Sequence, residues 1–335
     1  MSNHEHDRAE PDPWWARLVR FLRHDHNHIH DDAPVGDLGA EGIRATKISL
    51  VGLGTTALLQ AVLVGVTGSV ALLSDTIHNF TDALTAIPLW IAFSLGRRPH
   101  TKRYTYGFHR AEDLAGVVIV IAIGLSAGGV AWESIQRFRQ PRELDFIGWV
   151  IVAGIIGALG NELVARYRRR VGMRIGSAAL VADADHARAD ALTSLAVVVA
   201  GIGAGVGLTW VDPVAGLIVS VMILRLLWQS SRTMLDRLMD AVDPAIVDRV
   251  EKTALNTEGV LAVGDIRARH QGHLLLVTLC ISVDPSITMA EGHAIAHEVE
   301  HGLLHEFPNA GEAVVHVDPV GDDEAHNVSA HHVHE

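Results

Sequence analysis

The 335 residues are 49 % hydrophobic and include 31 glycines, and the mean hydropathy is +0.24, a composition too rich in small apolar residues for an ordinary soluble domain. The formal net charge of −12 lies mostly in the tails and the C-terminal region, and no basic patch with interleaved aromatics stands outside the membrane loops, which argues against nucleic acid as a partner. A single cysteine, Cys280, excludes an intramolecular disulfide and a thiolate cluster, so metal chemistry has to rest on His and carboxylates.

Residues 1–43 form a polar, His-rich tail whose start, MSNHEHDRAEPDP, has no apolar core of a cleavable signal peptide. Within it Trp14, Trp15, Leu18, Val19, Phe21 and Leu22 fall on one side of a helical wheel, with Arg17, Arg20 and Arg23 on the other. That pattern fits a helix lying in a membrane interface, or equally an arm without fixed structure. The tail's histidines, and those of the second His-rich tail at 321–335, suit weak, mobile capture of metal.

Residues 44–240 read as six transmembrane helices, at about 45–69, 70–96, 111–136, 144–167, 175–207 and 212–236. From Ile48 to Ser74, Leu114 to Trp132 and Ala191 to Val211 there is no charged residue, and each run approaches the length that crosses about 30 Å of hydrocarbon. The other spans are apolar but interrupted: the second holds a cluster described below, the fourth Asn161 and Glu162, the sixth Arg225. A soluble helical core would need amphipathic helices, whereas most of these are apolar all round. Arg97, Arg98, Lys102, Arg103 and Arg110 separate spans two and three, and Arg166, Arg168, Arg169, Arg170 and Arg174 close span four. The opposite side has Arg137, Arg139 and Arg142. The bias places both termini in the cytoplasm.

Composition changes at MDAVDP, and residues 241–320 read as helix, strand, strand, helix, strand. The expectation is a small cytoplasmic α+β domain, ferredoxin-like in its αββαβ order, with both helices on one face of a three-stranded sheet. It is small for a stand-alone core, which suits docking against a second copy.

The motif with the most chemistry occurs twice: DTIHNFTD in the second span and DADHARAD in the fifth share the spacing Asp-x-x-His-x-x-x-Asp. Residues four apart share a helix face, so His78 with Asp82, and His186 with Asp190, each form a two-ligand half-site. The two helices run antiparallel, and counting about 1.5 Å per residue brings all four groups near mid-membrane. An ionised Asp there costs on the order of 2.5–3.5 kcal/mol, and a divalent cation supplies the compensating charge. Two imidazoles and two carboxylates form the tetrahedral N/O set suited to Zn²⁺. Asp75 and Asp183, three residues before each His, are candidates to orient the ligands or to form steps of an ion path. A lone buried His would more simply be a packed, hydrogen-bonded residue; the matched pairs are what favour a metal site.

On these residues the chain resembles the cation diffusion facilitator family of divalent-metal transporters. Supporting features are Asp212-Pro213 opening the sixth span, Leu235-Asp236-Arg237 closing it, and the ending His316-Val317-Asp318-Pro319. The resemblance implies a homodimer in a bacterial inner membrane that exports a metal ion from the cytoplasm in exchange for protons, and the His at position 78 is similar to the zinc-transporting branches. Zinc is thus expected as cargo and as a regulatory ion, with Cd²⁺, Co²⁺, Fe²⁺ and Mn²⁺ as the other candidates. His316 and Asp318 match the family's cytoplasmic metal motif, but Gly264 and Leu276 stand where relatives carry histidines, leaving His270, His273 and His293 to complete a site or to be plain surface residues. Arg110 and Asp236 fall where the family places a charge pair linking the membrane and cytoplasmic parts.

Two other classes compete. HEVEH at 297–301 satisfies the zinc-protease pattern H-E-x-x-H, yet it sits in a helix where His293, His297, His301 and His305 recur every four residues opposite Ile295, Val299 and Leu303, as solvated histidines would. A sensor or storage protein would bind metal without moving it. The expectation is a transporter and not an enzyme.

Overall fold

A computed structural model describes residues 35–67, 76, 80, 85–139, 147–208 and 210–321. Among them are eight helices and three strands: α1 (Val35–Thr67), α2 (Ala86–Gly96), α3 (Arg110–Arg139), α4 (Ile147–Ile175), α5 (Ala178–Gly205), α6 (Val211–Leu238), α7 (Pro244–Leu255), β1 (Ala262–Gln271), β2 (Leu274–Val283), α8 (Met289–Glu306) and β3 (Ala310–Pro319). Five of the helices, α1 and α3 to α6, are long and apolar enough to cross a membrane, and α2 is a shorter apolar helix. Apart from residues 76, 80 and 85, the rest of the predicted second span, like the amphipathic stretch at 14–23 and the tail histidines, lies outside the described residues.

The bundle buries small residues and a few large ones. Leu89, Phe93, Ile119, Ile123, Leu180 and Ile223 form its centre, while Val51, Leu125 and Trp228 turn outward, at 70 %, 74 % and 71 % exposure. Such outward apolar faces suit lipid rather than water. Several hydroxyls are satisfied within their own helices, as a bilayer demands: Thr46 donates to the Gly42 carbonyl at 2.9 Å and Ser220 to that of Gly216 at 2.8 Å. Glycine lets α4 approach its neighbours: a Cβ on Gly157 would stand 2.8 Å from Ser194 Oγ, and one on Gly160 would overlap Thr56.

The C-terminal unit follows from alternation. On β2, Leu275, Val277, Leu279, Ile281 and Val283 are buried while Thr278 between them is exposed, the period-two pattern of a sheet covered on one face. Val250 and Ala254 of α7 and Val299 and Leu303 of α8 complete that core. The sheet order is β1-β2-β3, with β1 antiparallel and β3 parallel to β2. Asp243 caps α7 with Pro244 in its first turn, and Thr288 with Glu291 forms a capping box on α8.

Candidate metal centre

Helix α5 begins where Gly176 takes a φ of +76° and Ser177 accepts a hydrogen bond from the Leu180 amide at 3.1 Å. Its first four turns carry DADHARAD into the packed interior: Asp183, Asp185, His186 and Asp190 are all buried. His186 Nε2 and Asp190 Oδ2 stand 3.9 Å apart, and a tetrahedral ion with bonds of about 2.0–2.2 Å would draw the two atoms only slightly closer. His78, Asp82 and Asp75 lie outside the described residues. Among the described residues no three His, Cys, Asp or Glu side chains are grouped to hold an ion.

The other charges of α5 are met by α4 in a ladder. Arg168 Nη1 lies 3.1 Å from Asp183 Oδ2, Arg169 Nη1 donates to Asp185 Oδ1 at 3.0 Å, and Arg188 lies 3.4 Å from Glu162. Ser230 of α6 donates to the second oxygen of Asp185 at 3.0 Å. Glu162 also accepts from Arg166 at 2.7 Å. Sequence spacing makes Asp183 a candidate ligand orienter or ion-path step; in the structure its ion-pair partner is Arg168, which in the sequence stands only as one of the positive charges closing span four.

The proposed cytoplasmic ligands do not assemble within one chain. His316 Nε2 and Asp318 Oδ1 are 3.0 Å apart on β3, where His316 pairs with Cys280 of β2, which in turn pairs with Gly264 of β1. His270 sits six residues further along β1, opposite Leu275, and at about 3.3 Å per residue that is roughly 20 Å away. His273 is beyond it in the hairpin turn. His293 is on the exposed side of α8 near His297. These donors do not fit a single regulatory ion. Burial pushes the Cys280 thiol up, with the Asp318 and Asp265 carboxylates adding to it against Arg267. His297, Glu298 and His301 are likewise exposed, while Val299 and Leu303 of the same helix are fully buried, so HEVEH lies on the wet face of α8.

His270 and His273 instead belong to a junction between the bundle and the C-terminal unit. The β1–β2 turn inserts at the start of α3: the Gly272 amide donates to Asp113 Oδ2 at 3.0 Å, and His273 Nδ1 contacts Glu112 Oε2 at 2.8 Å. Arg237 donates to the carbonyls of Gly272 and Gly176, both at 3.2 Å. A cavity of about 770 Å³ opens beside it, lined by His100, His109, Glu112, His273 and Glu312 among others. Burial lowers the His109 pKa, with His273 adding and Glu112 opposing. His270 is pushed down to about 4 by burial and then by Arg237, against a backbone hydrogen bond at Leu274.

The expected charge pair is corrected here. Arg110 meets Asp240, not Asp236, and also donates to the Arg237 carbonyl at 3.3 Å. The guanidinium adds a donor at the carbonyl end of α6, where the Arg237 carbonyl also accepts from the Asp240 amide at 3.4 Å, so its carboxylate partner is the residue just past the helix, where Asp240 turns to a φ of +58°.

The cation efflux transmembrane domain matches residues 46–239, and the cation efflux protein cytoplasmic domain matches residues 242–320. A probable cation efflux system protein of Mycobacterium tuberculosis is 47 % identical over 319 residues, 95 % of each chain. The manganese efflux system protein MneP of Bacillus subtilis is 27 % identical over 82 % of this chain and 95 % of its own. Among solved structures, the MamM C-terminal domain is 26 % identical over 23 % of this chain and 95 % of that one, at a TM-score of 0.22.

Proposed function

The chain belongs to the cation efflux family, multi-pass membrane transporters of divalent metal ions and not enzymes, and from that premise we propose that it exports Zn²⁺ from the cytoplasm in exchange for protons. The cargo site is read as His78, Asp82, His186 and Asp190, with Asp75 beside it. The observation that carries the reading is the pairing of buried His186 and Asp190 one turn apart within an apolar span, 3.9 Å from Nε2 to Oδ2. Intramembrane ionisable groups are expensive unless they serve a path or an ion. An imidazole binds metal only when neutral, so loading releases protons and reprotonation ejects the ion. Alternating access then exposes one midplane site to each side in turn.

Both termini are read as cytoplasmic from the Arg and Lys bias of the loops, and the working unit as a homodimer joined partly through the C-terminal unit. Manganese is the second reading of the cargo, because MneP is a manganese efflux protein by name; the two imidazoles favour zinc. The test is uptake of Zn²⁺ and Mn²⁺ into proteoliposomes, wild type beside Asp190→Ala, with and without an imposed pH gradient. Zinc flux that rises with the gradient and vanishes in Asp190→Ala is the expected result. Flux that survives the substitution overturns the site, and flux indifferent to the gradient overturns proton exchange; binding without flux would leave a storage protein.

A further inference from the structure

His186 has two carboxylates within helical reach, Asp183 three residues before it and Asp190 four residues after, and either spacing makes a metal half-site. We propose that Arg168 decides between them: as a positioning residue it occupies Asp183, so that a cation is bound by His186 with Asp190 and is not trapped one turn short of them. The proposal rests on reading His186 and Asp190 as the cargo pair.

Arg168 is 1 % exposed in its side chain and Asp183 is 0 % exposed. Arg168 Nη1 lies 3.1 Å from Asp183 Oδ2 as an ion pair and donates to the Asp183 backbone carbonyl at 3.4 Å. Its Nε and Nη2 are buried without hydrogen-bond partners, as are both carboxylate oxygens of Asp183, so the two side chains meet by charge and not by a hydrogen bond. A buried ion pair with idle donors is a poor device for stability, since an apolar pair of the same shape would do as well or better. The arrangement makes sense as placement of charge. Without the guanidinium, Asp183 would be an uncompensated carboxylate about 4.5 Å along the helix axis from His186.

The same solution appears at Asp185, which is held by Arg169 and Ser230. Adjacent arginines of α4 therefore take the two carboxylates of DADHARAD that precede His186. Both clamps lie on the side of His186 nearer the start of α5, which in the proposed orientation is the side from which the cargo enters. Arg188, the remaining cation in the motif, is turned to Glu162.

The test uses the full chain in proteoliposomes and detergent, with Zn²⁺ alone as the probe. Arg168→Met should tighten Zn²⁺ binding and lower both KM and maximal flux by about tenfold or more, because a unit charge this close acts strongly on a divalent ion in a medium of low dielectric. Arg168→Lys should stay within about threefold of wild type, since a cation still faces Asp183. Asp183→Asn leaves the arginine uncompensated and should raise KM at least about tenfold by repulsion. The double variant Arg168→Met with Asp183→Asn removes both charges and should recover KM and flux toward wild type. If Arg168→Met does not fold, Asp183→Asn and the double variant decide. A double variant no better than Asp183→Asn means that Asp183 itself serves the ion and overturns the proposal, as does an Arg168→Met that transports like wild type. Asp190→Ala is run beside them: if it transports normally, the cargo-site reading has failed, whereas a dead Asp190→Ala with no rescue in the double variant refutes Arg168 alone.

Discussion

Gly272→Ala should undock the C-terminal unit from the bundle while leaving each intact. Gly272 sits at a φ of +60° in the β1–β2 turn, and a Cβ there would stand 2.7 Å from the His109 carbonyl oxygen and 2.9 Å from Glu112 Oε2. The left-handed backbone alone costs a non-glycine residue about 1–2 kcal/mol. The first clash is with backbone and cannot be relieved by a rotamer, so the turn must lift. Lifting sacrifices the Gly272 amide bond to Asp113 and the Arg237 bond to the Gly272 carbonyl, each charge-assisted and worth about 1.5–3 kcal/mol. Strain plus even one of these bonds gives about 3 kcal/mol, roughly two orders of magnitude in the docking equilibrium. Hydrogen exchange of the chain in lipid nanodiscs reads it directly: amides of the turn and of the first turn of α3 should exchange faster, with strand residues 277–281 unchanged. Gly264→Ala is the control, since nothing lies within 4 Å of its added Cβ. Equal exchange at the turn in both variants would refute the docking argument.

Acid should weaken the C-terminal unit through His270. Its folded pKa of about 4 lies below the ordinary 6.5, so the unfolded chain takes up the proton first, and stability present above pH 6.5 is lost as pH falls toward 4, by up to about 3 kcal/mol. His270→Gln should flatten the dependence of thermal unfolding on pH across that window; parallel curves for the two proteins would contradict it. In the bundle, Gly157→Ala places a Cβ 2.8 Å from Ser194 Oγ and 3.0 Å from Gln60 Nε2 and should cost about 1–3 kcal/mol by overpacking. Adding Ser194→Gly should restore much of the loss in a thermal melt, and a melt indifferent to the second change would show that the two helices are not in limiting contact there.

The sequence by itself determined the apolar spans, the αββαβ order of the C-terminal unit and the pairing of His186 with Asp190, because hydropathy, strand alternation and four-residue spacing are local properties of a chain. Burial of Val299 and Leu303 beneath exposed histidines on α8 was legible for the same reason. The tertiary structure alone decided which charges meet. Helices α4 and α5 join in sequence, yet nothing in the spacing of RYRRR says that Arg168 and not Arg166 turns inward to Asp183, since that depends on how the helices rotate as they pack. His273 is one of the residues the sequence offers to share a metal ion with His316 and Asp318, but strand register separates them and a turn buries His273 against Glu112. Arg110 likewise meets Asp240 because the carbonyl end of α6 places the Arg237 carbonyl and the Asp240 carboxylate side by side before one guanidinium, a choice made by the geometry of a helix terminus against a distant chain segment.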